Sequence, residues 1–155
     1  IEGKHLPVYG NGKNVRDWLY VKDHCVAIWT IMKEGKHGET YNVGGNSELE
    51  NIKLVEMICD ILYEEREDLT NYKSPRELIT FVTDRPGHDK RYAIDSTKLN
   101  VELGWRPHES FDSGIHKTIK WYVDNMEWVN RVRTGEYQSW ILNITGNSRF
   151  HLSQL

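Results

Sequence analysis

Short β-type runs alternate with long helical runs along this chain, and the helices carry more apolar surface than so few strands can cover. The order reads strand, helix, strand, helix, strand, helix, helix. That order indicates an α/β protein with a largely parallel sheet. Leu6-Pro7-Val8-Tyr9 reads as an extended segment, and Gly10-Asn11-Gly12 as a turn, because both residue types accept positive φ. Arg16 to Val21 reads as a strand with bulky alternation, and Asp23 as the cap of a helix carrying Cys25, Val26, Ile28, Trp29, Ile31 and Met32 that ends at Gly35. Glu39 to Gly45 reads as a further strand leaving on glycines. Asn51 is placed to cap a long helix with Ile52, Val55, Ile58, Cys59 and Leu62 on its apolar face. After a charged linker, Leu78 to Val82 is β-type. Asp95 then caps a helix that Gly104 closes, and Ser110 or Asp112 opens a last long helix with Ile115, Ile119, Tyr122 and Val123 on one side. Strands so few leave open edges, which invite pairing. The pattern predicts part of a larger α/β unit.

Composition narrows the function classes. The chain has 155 residues, a single-domain length, and a net charge of −3. Its 20 basic and 23 acidic residues are interspersed without a basic stripe, which argues against nucleic acid as a partner. No run approaches the roughly 18 apolar residues of a membrane span. Cys25 and Cys59 sit in apolar helical patterns and read as buried free thiols, in keeping with a cytoplasmic location. The histidines lack metal-ligand spacing, so no metal site is expected. Six Trp and eight Tyr point to core, interface or stacking roles. The start at Ile1, without Met, suggests a fragment.

One loop concentrates chemistry. Asp84, Arg85, His88, Asp89, Lys90 and Arg91 gather around a turn fixed by Pro86 and Gly87. Convergent polar groups on a loop suit ligand binding, and an arginine fork with a histidine donor suits a phosphate. A solvated charged turn is the competing reading. Gly44-Gly45 after a strand is too little for a nucleotide loop.

Several motifs occur together and in order: Leu6-Pro7-Val8-Tyr9-Gly10, Arg16-Asp17-Trp18-Leu19-Tyr20-Val21-Lys22-Asp23-His24, Tyr41-Asn42-Val43-Gly44-Gly45 and Asp84-Arg85-Pro86-Gly87-His88-Asp89. Ala93-Ile94-Asp95, Glu102-Leu103-Gly104-Trp105 and Trp121-Tyr122 with Asn125 and Trp128 follow. As a set they resemble the dTDP-glucose 4,6-dehydratases, which are extended short-chain dehydrogenase/reductases. The resemblance runs from about Ile1 to Gln138. UDP-galactose 4-epimerases share the Arg-Asp strand and the Arg-Pro-Gly loop but usually lack the Gly-His-Asp continuation.

The resemblance implies the C-terminal, substrate-binding part of a Rossmann-like fold, over residues 1–138, with a divergent tail over 139–155. The family's NAD-binding glycine-rich turn and its catalytic groups belong to its N-terminal half. No catalytic or cofactor-binding residue is therefore assigned here, and the chain alone is expected to be inactive. The family converts dTDP-glucose to dTDP-4-keto-6-deoxyglucose for deoxysugar synthesis, using bound NAD, and usually as a homodimer. Carried over by motif, Arg16, Asn51, Arg85, His88 and Tyr137 would grip the nucleotide of a dTDP-hexose. Asn51 reads almost as well as a helix cap and Tyr137 as a packing residue. A stand-alone nucleotide-sugar binding or interaction module, or another sugar-nucleotide epimerase or dehydratase, are the alternative readings. Within the tail, Asn143-Ile144-Thr145 is formally a glycosylation sequon.

Overall fold

The structure, a computed structural model, describes residues 1–66, 68 and 74–135. By internal contacts the chain divides into two compact units, Ile1–Ile119 and Lys120–Leu155. In the first, β1 (Leu6–Tyr9) leads through a turn to β2 (Val15–Asp17), followed by α1 (Val21–Glu34), β3 (Glu48–Glu50) and α2 (Asn51–Glu65). A 3-10 turn (Pro75–Leu78) enters β4 (Ile79–Val82), and α3 (Thr97–Leu103) follows. Then α4 spans Phe111–Asp124 and α5 Met126–Thr134.

The strands form two pairs. β1 runs parallel to β4, with Leu6 opposite Ile79 and Tyr9 opposite Val82. β2 runs antiparallel to β3, with Val15 opposite Glu50 and Asp17 opposite Glu48. The expected largely parallel sheet is thus reduced to one parallel pair. The expected strand over Glu39 to Gly45 is not one: Tyr41 and Val43 pack on the core, but no strand pairs with them among the described residues. The expected strand from Arg16 stops at Asp17, and Val21 already belongs to α1.

Helix ends explain several local choices. Tyr20 holds the N-cap position of α1, while Asp23 lies buried in its first turn and accepts the Glu109 backbone N–H at 2.9 Å. Asn51 is the first residue of α2 rather than its cap, because Glu50 is still extended there. Ser96, not Asp95, holds the N-cap position of α3, and Asp95, one residue outside it, accepts the Thr97 N–H at 2.9 Å. The helix closes on Gly104 at φ 68, as the sequence predicts. Ser110 caps α4 by accepting the Ser113 N–H at 3.1 Å.

The expected last long helix is broken into α4 and α5. Asn125 donates its side-chain N–H to the Trp121 carbonyl at 2.7 Å, and its φ is −119. That bond takes the acceptor which a continuing helix would use. In this second unit Trp121 meets Trp128 and Tyr122 edge-on, with ring centroids 5.1 and 5.3 Å away.

The core cluster joins Ala27 of α1, Leu99 of α3 and Trp105, with Leu19, Ile31 and Leu103 around it. Cys59, Ile61, Leu54, Val8 and Leu78 are buried elsewhere in the unit. Cys59 is buried, as expected, but Cys25 is exposed. Among the tryptophans Trp105 is buried, whereas Trp29, Trp121 and Trp128 are exposed. On α1 the side chains of Val21, Ile28, Trp29 and Met32 stand exposed, on the side away from Asp23 and Ala27. No helix among the described residues is long and apolar enough to cross a membrane.

Two outcomes follow. Leu99 is fully buried. Leu99→Ala is expected to cost about 2–5 kcal/mol, read as a lower urea midpoint. Glu109 accepts from Lys117 and from the Ser113 hydroxyl, which together hold its carboxyl down to about 2, below the ordinary 4.5. Its contribution is complete above pH 4.5 and fades as pH falls towards 2, because the unfolded chain takes the proton first. Stability measured across that range should fall less steeply in Glu109→Gln than in the native chain.

Candidate nucleotide-binding site

Arg85-Pro86-Gly87-His88 forms a tight turn. The His88 N–H donates to the Arg85 carbonyl at 3.3 Å, with Gly87 at φ 70. Proline second and a positive-φ glycine third is the arrangement of a type II turn. The turn folds His88 back onto Asp84, whose Oδ1 lies 2.6 Å from His88 Nδ1 and also accepts the Arg85 backbone N–H at 2.9 Å. The imidazole and Arg85 N–H hold the Asp84 carboxyl below the usual carboxylate range.

Arg16 reaches this turn from β2. Its Nη2 stands 3.2 Å from His88 Nε2 and donates to the Asp89 carbonyl at 3.1 Å, and its Nη1 donates to its neighbour's Val15 carbonyl at 2.7 Å. The guanidinium lies 4.4 Å above the Tyr92 ring. Tyr92 in turn donates its hydroxyl to Asp89, whose carboxylate raises the phenol's pKa. Buried Asn14 donates to the same Asp89 carbonyl at 3.1 Å. Arg16 is thus paired with neither Asp17 nor Asp84.

Asn51 and His88 line one cleft of about 230 Å³, together with Tyr9, Val8 and Gly12. Arg85 is exposed, and its guanidinium has no hydrogen bond or ion pair among the described residues. The structure therefore brings Arg16 and His88 into contact, puts Asn51 in the adjoining cleft and leaves Arg85 open on the same loop. Tyr137 lies outside the described residues. A second, apolar cleft of about 260 Å³, lined by Trp18, Leu54, Ile58, Phe111 and Ile115, contains none of the expected residues.

Sequence reasoning placed Asp84 on this loop without giving it a role, and it missed Tyr92 and Asn14 as parts of the site. Asp84 had a signal, four residues before His88 across a turn. Tyr92 and Asn14 had none, because their roles depend on contacts made across the fold.

Asp17 faces the other way. Its two carboxylate oxygens accept the N–H groups of Gly45 and Ser47, each at 2.8 Å. A Cβ on Gly45 would run into the Trp18 carbonyl oxygen. Gly44-Gly45 thus serves close packing against the chain's own backbone.

The sequence model of the GDP-mannose 4,6 dehydratase family matches residues 1–118. The chain belongs to that family. Within it, a dTDP-glucose 4,6-dehydratase of Escherichia coli is 57% identical over 141 residues, which are 91% of this chain and 38% of that protein. A crystal structure of the dTDP-glucose 4,6-dehydratase of Streptomyces venezuelae with NAD bound superposes with a TM-score of 0.69 at 39% identity. It covers 81% of this chain and 36% of that one. The Bacillus anthracis dTDP-glucose 4,6-dehydratase, in complex with NAD, gives 0.63 at 43% identity, covering 82% and 37%. The fold is therefore an α/β piece of the Rossmann-like dehydratases, and the chain spans about 38% of the length of the curated relatives it matches.

Gly44-Gly45 does not fit the pyrophosphate of NAD. Glycine-rich dinucleotide turns present backbone N–H groups to a pyrophosphate. The N–H of Gly45 is already spent on Asp17. One Tyr-x-x-x-Lys spacing occurs, Tyr9 to Lys13, but it spans the Gly10–Gly12 turn, whereas a pair sharing one face at that spacing requires a helix. No catalytic pair arises there.

Asp17→Ala removes the acceptor for two backbone donors. It is expected to cost about 1.5–3 kcal/mol, measured by urea denaturation.

Proposed function

We propose that this chain is the C-terminal part of a dTDP-glucose 4,6-dehydratase and supplies its grip on the nucleotide diphosphate. On this reading the whole enzyme converts dTDP-glucose to dTDP-4-keto-6-deoxyglucose in deoxysugar synthesis. Residues 1–138 hold substrate, and 139–155 form a divergent tail. NAD and the catalytic groups belong to the remainder of the enzyme, which acts as a homodimer, and the 155-residue chain alone is inactive.

The observation that carries the reading is the meeting of Arg16 with His88 at 3.2 Å, with exposed Arg85 on the same loop as His88 and the cleft shared by His88 and Asn51. A diphosphate carries charge that arginine satisfies with short, charge-assisted bonds. Arg85 would take phosphate oxygens directly, Arg16 would add fixed positive charge, and Asn51 and Tyr9 would border the rest of the nucleotide. Binding energy from this non-reacting part of the substrate orients the sugar for chemistry elsewhere. Tyr137 is a further proposed contact.

Calorimetric titration of the chain with dTDP tests the reading. Saturable binding is expected, weakened about tenfold or more in Arg85→Ala, the equivalent of losing a charge-assisted bond. His88→Ala is expected to weaken it as well. Absence of saturable binding, or mutants that bind like the native chain, would overturn a nucleotide grip formed by these residues.

A further inference from the structure

We propose that Asp84 is a positioning residue: through His88, whose Nδ1 carries the ring hydrogen towards Asp84, it holds Arg16 in place at the diphosphate site. The ligand half of this inference rests on the nucleotide reading above. The brace itself rests on geometry alone.

His88 lies between a group that only donates and a group that only accepts. A guanidinium nitrogen carries hydrogens and offers no lone pair, so His88 Nε2, 3.2 Å from Arg16 Nη2, is the acceptor. The ring hydrogen then sits on Nδ1, where it points at Asp84 Oδ1 2.6 Å away. The opposite tautomer breaks both bonds. A doubly protonated ring sets N–H against N–H at Arg16. One form of the imidazole therefore suits both neighbours, and the carboxylate selects it.

The surroundings fix each member. A Cβ on Gly10, whose φ is +58, would stand 2.9 Å from Asp84 Oδ2 and 3.2 Å from Asp84 Cβ. Only a residue without a side chain leaves Asp84 its place. The Gly10 N–H bonds the Val82 carbonyl at 2.9 Å, which ties that turn to the end of β4. The Arg85 N–H holds the same Asp84 oxygen at 2.9 Å. The His88 side chain is only 9% exposed, with the Tyr9 ring set edge-on 6.4 Å away. Few rotamers remain open to it.

The consequence falls on Arg16. Both hydrogens of its Nη2 are engaged, one by His88 and one by the Asp89 carbonyl. Either two-pronged face of a guanidinium uses Nη2. Arg16 therefore presents its charge and single donors, while Arg85 keeps a whole fork open. Asp84 sets where the Arg16 charge sits without needing to touch the ligand.

Long-range proton–nitrogen spectra of the imidazoles, recorded on the full chain at a pH where they are neutral, test the brace. Calorimetric titration with dTDP tests its consequence. The native chain should show His88 as Nδ1–H. In Asp84→Ala the ring loses the carboxylate that orients it towards Arg16; once turned away from Arg16 it should revert towards the Nε2–H form, and dTDP affinity should fall about tenfold, as for loss of a bond to a charged group. Asp84→Asn keeps an oxygen that accepts from Nδ1–H, so it should retain the tautomer and bind within about threefold of the native chain. A native Nε2–H form would overturn the brace. So would an Asp84→Ala chain with native tautomer and affinity. A changed tautomer with unchanged affinity would overturn the positioning role. Should the native chain bind no dTDP, the nucleotide reading and the ligand half fall together, and the tautomer alone then decides the brace.

Discussion

The carboxylate of Asp17 is the interaction on which the rest of the first unit depends. It gathers the N–H groups of Gly45 and Ser47, and so turns the incoming chain into β3 alongside β2. β2 also meets the returning loop on its other side: Val15 N–H bonds the Lys90 carbonyl, and Tyr92 N–H bonds the Val15 carbonyl. Neighbouring residues on a strand point to opposite faces. With Asp17 committed to one side, Arg16 is delivered to the other, where Tyr92, Asp89 and His88 receive it. Arg16 and Asp17, neighbours in the sequence, are thus two separate devices, one meeting the His88 turn and one holding the backbone.

Much of the local structure was legible in the sequence because its causes are local. Pro86 and Gly87 dictate the turn, Ser110 dictates the start of α4, and Gly104 dictates the end of α3. The loop that collects Arg85 and His88 could be read for the same reason. The site as a whole could not, since Arg16 and His88 lie 72 residues apart and nothing in either neighbourhood specifies the contact. β3 was missed because Glu48-Leu49-Glu50 has little strand character of its own and is extended by its pairing with β2. The break at Asn125 was hidden inside an apolar pattern that continues through it, and only the side-chain bond to Trp121 shows why the helix stops.

Periodicity reported that α1 is apolar, and it is. What periodicity does not report is which side is covered. Ala27 and Ile31 meet the core, while Trp29 and Met32 remain exposed at 61% and 74%. The same ambiguity affected the tryptophans, which composition alone marks as core or interface. The expected strand at Glu39 to Gly45 failed for a related reason. A strand is defined by a neighbour, and this segment contributes Tyr41 and Val43 to packing without having one among the described residues.

The seating of Arg16 has a thermodynamic meaning beyond geometry. A free arginine side chain carries about 2 kcal/mol of rotamer entropy, which is lost when it is immobilised. Stacked on Tyr92 and tied to Val15, Asp89 and His88, Arg16 has already lost that freedom on folding, and much of its hydration with it. An anion arriving at Arg16 meets a charge that is ordered in advance, whereas the exposed Arg85 has still to be ordered by the encounter itself. The two arginines, alike in formal charge, therefore enter any complex from opposite ends of the entropy scale.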